Sequence, residues 1–225
     1  MTRTKLRDRQ LPAYTHSEEI FHMVSHIVGG AFGILALITC VIVSAFHQDV
    51  WAIVGSAIYG TSMILLYTVS SIYHALHINM GKKVMQIIDH CTIYLLIAGT
   101  YTPILFCKIR ETSPIWAWTI FGIVWGLAAI AATLTAIDLK KYSKFSMICY
   151  IGMGWCIVIA PHIAIQSIAA EGLLWLLAGG IAYTIGAVIY GIGKHKQMKY
   201  AHAIFHLFVV LGSVLQYICI LFYIL

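Results

Sequence analysis

His202 and His206, in the stretch AHAIFHLFVVL (201–211), stand four residues apart inside the last long apolar run of the chain. On a helix that spacing places both imidazoles on one face, a turn apart. Imidazole is expensive in a hydrocarbon setting unless its nitrogens are satisfied, and an i, i+4 pair commonly offers two ligands to one metal ion. Three more residues bear on the same chemistry: His74 in TVSSIYHAL, Ser70 one turn before it on the same helix face, and Asp89 in VMQIIDHCTIYLLIAGTYTP. Of the eight acidic residues, Asp89 is the one clearly inside an apolar run. A carboxylate there costs about 2.5–3.5 kcal/mol on insertion scales, so it needs a partner.

Three neutral imidazoles with one open position are the donor set of a catalytic zinc site. The ion lowers the pKa of water toward neutrality, and a carboxylate such as Asp89 accepts the proton. Blander readings stand beside this one. Asp89 could be a helix-end carboxylate bonded to a loop amide or to Lys83. Ser70 could bond back to the i−4 carbonyl or hold two helices together.

The composition identifies the elements that must carry these groups. The chain has 225 residues, 61% hydrophobic and 10% charged, with a mean hydropathy of +0.89. Soluble domains carry about 25% charged residues, so an integral membrane protein is expected. Seven apolar stretches fall at roughly 20–45, 51–76, 84–107, 114–136, 142–168, 171–192 and 200–225. Each is near the ~20 residues a spanning helix needs. The expected fold is an all-α, seven-helix membrane bundle forming one domain over 1–225, with residues 1–19 as a cytoplasmic tail. The polar, basic start MTRTKLRDRQLPAY contains no cleavable signal, so the first helix is expected to direct its own insertion. Six cysteines scattered through apolar runs read as small buried hydrophobes rather than a disulfide framework.

Charge orients the bundle. Arg3, Lys5, Arg7, Arg9, Lys82, Lys83, Lys140, Lys141, Lys144, Lys194, Lys196 and Lys199 fall on one side, against Lys108 and Arg110 on the other. The positive-inside rule then puts the N-terminus in the cytoplasm and the C-terminus outside. The net charge of +6 follows from this asymmetry and from attraction to anionic lipid, and calls for no nucleic-acid partner. In that orientation His74 lies near the cytoplasmic end of the second span, Asp89 near the start of the third, and His202 and His206 at the start of the seventh. At 1.5 Å per residue, all four fall within ~10 Å of one membrane face.

Other polar residues weigh less. Glu19, His22 and His26 share a face at the start of the first span and could support the site from behind, or simply bond two helices together. His90 points about 100° away from Asp89 around the helix, which suits a structural or supporting role. The small-residue patterns GGAFG (29–33) and GIVWG (122–126) predict close helix packing.

SSIYH (70–74), DHCTIYLLIAGTYTP (89–103) and the HxxxH of His202 and His206, with SEEIFHMVSH (17–26) near the start, resemble the hemolysin III family. This is the bacterial branch of the progestin and adipoQ receptor group, related to alkaline ceramidases. The resemblance covers nearly the whole chain. It implies a seven-helix, N-inside bundle in the bacterial cytoplasmic membrane, with a zinc ion held by His74, His202 and His206, and Ser70 and Asp89 as water-holding or proton-transfer groups. One departure is visible: the family's helix-1 pattern has Asn three residues after the Glu, where this chain has His22.

Hydrolysis of a lipid amide or ester is the leading functional expectation, with membrane lipid as substrate or ligand. A non-catalytic sensor of membrane state with structural zinc is the alternative. A pore-former is a third, opposed by a chain too apolar to be secreted in soluble form. A retinal photoreceptor needs a lysine in the last span, and residues 200–225 contain none.

Overall fold

The computed structural model describes residues 4–225; Arg3, counted above with the basic N-terminal segment, lies outside the described residues. The helices are α1 (His16–Phe46), α2 (Val50–Ala75), α3 (Met80–Ile104), α4 (Pro114–Ile137), α5 (Ser143–Gly154), α6 (Pro161–Ser167), α7 (Ala170–Lys196) and α8 (Ala201–Cys219). No strand occurs among the described residues. π-turns prolong α3 (Leu105–Ile109) and α8 (Ile220–Ile224). Among the described residues, six units are long and apolar enough to cross a membrane: α1, α2, α3 through Thr112, α4, α7, and α8 through Ile224. The chain is an all-helical, multi-pass membrane protein.

Local chemistry sets the helix starts. Thr15 accepts from the Glu18 N–H while Glu18 bonds back to the Thr15 backbone, a capping box that satisfies two orphan donors. It starts α1 at His16, so the tail expected over 1–19 ends at Thr15. Asp49 and Asn79 cap α2 and α3 through the N–H groups of Trp51 and Lys82, both at 2.8 Å.

The fifth apolar stretch, expected over 142–168, is broken. α5 ends at Gly154, a 3-10 turn covers Cys156–Ile159, and α6 restarts at Pro161. Proline lacks an N–H and disfavours helical geometry in the residue before it. Tyr101 of α3 satisfies the opened backbone: its hydroxyl donates to the Gly154 carbonyl at 2.8 Å and accepts from the Ile157 N–H at 3.1 Å. Irregular backbone at membrane depth needs such protein partners.

α1 carries its buried residues, Glu18, His22, His26, Gly29, Gly33, Ala36, Cys40 and Ser44, as a single stripe. Its other faces show exposed Ile20, Val24, Ile27, Ile34 and Ile38, as a lipid-facing surface does. Gly29 and Gly60 let α1 and α2 close together. A Cβ at Gly29 would stand 2.6 Å from the Tyr67 ring, and one at Gly60 2.5 Å from Leu37. Tyr67 continues the seam into α8 and α7: its hydroxyl donates to Ser213 Oγ at 2.7 Å, which also meets Tyr183 at 2.9 Å. The close packing expected of GIVWG is absent among the described residues, where nothing lies within 4 Å of a Cβ at Gly122 or Gly126. Those glycines face outward.

The N-terminal segment is tied to the loops at one end of the bundle. The Thr4 N–H donates to Asp138 Oδ2 at 2.8 Å and Lys83 Nζ to the Arg7 carbonyl at 2.6 Å. On the helical side of the tail, the Tyr200 N–H donates to Glu18 Oε1 at 2.8 Å. At the opposite end, His47 Nδ1 meets the Leu225 carbonyl at 3.0 Å, and Arg110 lies over the Trp51 ring at 4.6 Å.

Candidate metal centre

Five histidines from three helices meet just inside the tail-bearing end: His22 and His26 of α1, His74 of α2, and His202 and His206 of α8. Ring centroids of His74, His202 and His206 lie 4.5–5.4 Å apart. Ligand atoms of His22, His74 and His202 all fall within 4.8 Å of one another, so this group could hold a metal ion. His206 adjoins it through its Nε2, 3.0 Å from His202 Nε2.

The surroundings decide which nitrogen each ring presents. Glu19 Oε2 accepts from His74 Nδ1 at 2.6 Å. That bond fixes the tautomer and leaves His74 Nε2 as a lone pair facing inward. Glu19 is held in turn by Lys82, whose Nζ donates to Oε1 at 2.6 Å and to the Leu76 carbonyl at 2.9 Å. Lysine is almost never fully buried unless paired, and Lys82 is 3% exposed. The carboxylate behind a ligating imidazole orients it and raises its basicity. On His206, Nδ1 faces the His22 carbonyl at 3.4 Å and Ser25 Oγ at 3.5 Å, so its Nε2 also points at the cluster.

Six buried imidazole nitrogens have no hydrogen-bond partner among the described residues: both of His22, both of His26, His74 Nε2 and His202 Nδ1. Leaving a buried polar atom unpaired costs about 1–3 kcal/mol. Each ring can turn one nitrogen toward a common point, and the His22, His74 and His202 group fits a shared metal ion.

His26 stacks on His206 with centroids 3.7 Å apart and planes 10° from parallel. Tyr14, from the segment before the Thr15 cap, stacks over His202 at 5.3 Å and meets His22 edge-on at 4.9 Å. Burial pushes its phenol pKa up, so it stays neutral.

Asp89 and Ser70 stand beside this cluster on the wall of a cavity of ≈ 150 Å³, which His26, His90, His202 and His206 also line. Both side chains are buried, Ser70 at 1% and Asp89 at 8% exposure. His90 Nδ1 donates to the Gln86 carbonyl at 2.8 Å and lies 3.5 Å from Asp89 Oδ2. It therefore reaches back toward its neighbour despite its turn around the helix. Lys83 is engaged with Arg7, not with Asp89. The rest of the cavity is mostly apolar, including Leu66, Ile93, Ile97, Phe205 and Val209. A second apolar cavity of ≈ 230 Å³ shares Thr100, Tyr101, Trp155 and Gln216 with it and runs along the broken segment.

The sequence reading gave Lys82 and Tyr14 no part in this neighbourhood, and gave His22 only a supporting role. In the sequence Lys82 counts only among the basic residues of one side. The Asn79 cap, which places it in the first turn of α3, was the available signal. Nothing in the sequence links Tyr14 to histidines on α1 and α8.

The fold and site define a polytopic helical membrane protein with a polyhistidine centre and a carboxylate-lined apolar cavity near one end. The sequence pattern described as Haemolysin-III related matches residues 14–217, and the chain belongs to that family. It is 39% identical over 208 residues to Hemolysin-3 of Bacillus cereus, covering 92% of each chain. It is 36% identical over 210 residues to the Hemolysin-3 homolog of Bacillus subtilis (strain 168), covering 93% of this chain and 96% of that one. The ADIPOR-like receptor IZH2 of Saccharomyces cerevisiae is 25% identical over 226 residues, covering 89% of this chain and 69% of its own. Relatives of this type join the chain to the wider progestin and adipoQ receptor group.

Proposed function

We propose that this protein is a zinc-dependent intramembrane hydrolase of lipid amides or esters, taking part in membrane-lipid homeostasis. The observation that carries the reading is that a buried carboxylate and unpartnered imidazoles open on the same apolar cavity. His74, His202 and His206 would hold the ion. A zinc ion supplies Lewis-acid polarisation of a carbonyl and a water acidified toward neutrality.

The protein's own groups do the rest. Glu19, locked by Lys82, keeps the His74 Nε2 lone pair aimed inward. Asp89 accepts the proton of the attacking water and returns it to the leaving nitrogen or oxygen. The acyl C–N or C–O bond breaks, giving a carboxylic acid and an amine or alcohol. Ser70 orients Asp89, and the apolar walls along α3, α5 and α7 receive the hydrocarbon part of the substrate.

The broken segment 143–167 serves as the fifth of seven spans, which places the basic end with Tyr14 and the histidines in the cytoplasm and the C-terminus outside. The host membrane is the bacterial cytoplasmic membrane. The decisive experiment incubates purified, zinc-loaded protein with ceramides, phospholipids and other acyl lipids and measures free fatty acid. Release by wild type and none by His74→Ala is expected. Folded, zinc-loaded wild type that releases nothing from any class overturns the reading.

A second reading is a non-catalytic sensor with a structural metal, favoured by the way the cluster ties α1, α2 and α8 together. It is distinguished by Asp89→Asn, which would then leave function intact.

A further inference from the structure

We propose that His22 is a fourth imidazole ligand, so that the resting centre is closed and its water position opens only when His22 leaves or coordination expands. This deepens the metal reading above and rests on it.

His22 is fully buried, and neither of its ring nitrogens has a hydrogen-bond partner among the described residues. Its centroid lies 4.6 Å from His74, 4.7 Å from His202 and 5.0 Å from His206. It is thus central to the cluster, and its ligand atom is within 4.8 Å of those of His74 and His202. The neighbouring aromatic, Tyr14, meets it edge-on at 4.9 Å, a contact that satisfies no ring nitrogen.

Three nearby rings show what a partnered histidine looks like here, whereas His26, equally unpartnered, lies stacked flat on His206. His74 has Glu19, His90 has the Gln86 carbonyl, and His206 has oxygens near Nδ1. A ring left with two free nitrogens in the middle of such a group is explained if one of them is a donor to the same cation.

The spacing agrees. Two nitrogens on a tetrahedral ion at about 2.0–2.1 Å stand roughly 3.3 Å apart. His202 and His206 already present Nε2 atoms 3.0 Å apart, and the ligand atoms of His22, His74 and His202 lie within 4.8 Å of one another. Four protein ligands make a structural, closed zinc site, and three leave one position for water. His22 therefore decides which of the two this centre is at rest. It is carried by α1, whereas His74 is fixed from behind by Glu19, and His202 and His206 are fixed to each other by one helix. Of the four rings, His22 is the one without a hydrogen bond to hold it, and so the one able to leave.

The test is zinc K-edge X-ray absorption on the full-length protein in detergent. Four imidazole scatterers are expected in wild type. His22→Asn should show three with an added oxygen, and its zinc affinity by chelator competition should fall at least about tenfold, since even outer partners of a metal site contribute that much. Substitution with Co(II) gives a second readout, whose visible bands should change between wild type and variant. Wild type with three imidazoles and an oxygen overturns this proposal and leaves the hydrolase reading standing. Protein that takes up no zinc overturns both. The wild-type spectrum alone decides the matter if His22→Asn does not fold.

Discussion

The two walls of the bundle are built differently. On the α1–α2–α8 side, Gly29 and Gly60 bring the helices into close contact, and Tyr67, Ser213 and Tyr183 bond across three helices. The histidines sit on this rigid side. The α4–α6 side carries glycines at 122, 126, 152 and 154 with no neighbour within 4 Å of a Cβ, and one of its helices is interrupted. The cavities run along that interruption. The histidines that could hold a metal ion stand on closely packed helices, while the apolar cavities lie where backbone is already irregular. α3, carrying Asp89, stands between the two.

The largest effect should come from the group that joins the walls. Asp89→Asn is expected to lower lipid hydrolysis by roughly 10²–10⁴-fold while zinc content and thermal unfolding stay at wild-type values. Retained activity would detach the cavity from the metal side.

Next is the brace behind the rigid wall. Glu19→Gln keeps the shape but weakens the bond that orients His74, and zinc affinity by chelator competition should drop by about 10–100-fold. It also leaves Lys82 buried without its carboxylate, so a lower unfolding temperature should accompany the loss.

The contrast in packing is tested directly by Gly29→Val against Gly126→Val. The first drives a side chain into Tyr67 and should cost about 1–3 kcal/mol. The second meets open space and should stay within about 0.5 kcal/mol. Equal effects in a chemical unfolding series would erase the distinction between the walls.

The smallest effect concerns the segment that roofs the cluster. The Thr4 N–H, with the N–H groups of Lys140 and Lys141, holds the Asp138 pKa down to about 2 from its ordinary value. A depressed carboxylate contributes its stabilisation fully above about pH 4, and that contribution is lost as pH falls through about 2. Hydrogen exchange in residues 4–14 should therefore rise across that interval. Asp138→Asn should raise it already at neutral pH.

Much of this was legible before any coordinates. Apolar runs of spanning length located the helices, because every backbone polar group in lipid must be satisfied within its own helix. The rarity of charge in those runs singled out Asp89, and helical periodicity paired His202 with His206. The break at Gly154–Pro161 was less legible. Its composition is as apolar as an unbroken span, and the partner that makes the break tolerable, Tyr101, lies on another helix. GIVWG misled because small-residue spacing does not say whether a second helix is present to use it.

The sequence by itself determined what the chain could embed in a membrane and which side chains had to find partners there, since burial costs belong to residue types. It could not determine which partners those were. That Glu19 grips both His74 and Lys82, that Tyr14 covers His202, and that His22 stands at the centre of the cluster rather than behind it are matters of helix rotation and approach. These are set by packing between segments far apart in the chain, at contacts such as Gly29 against Tyr67, and only the assembled bundle decides them.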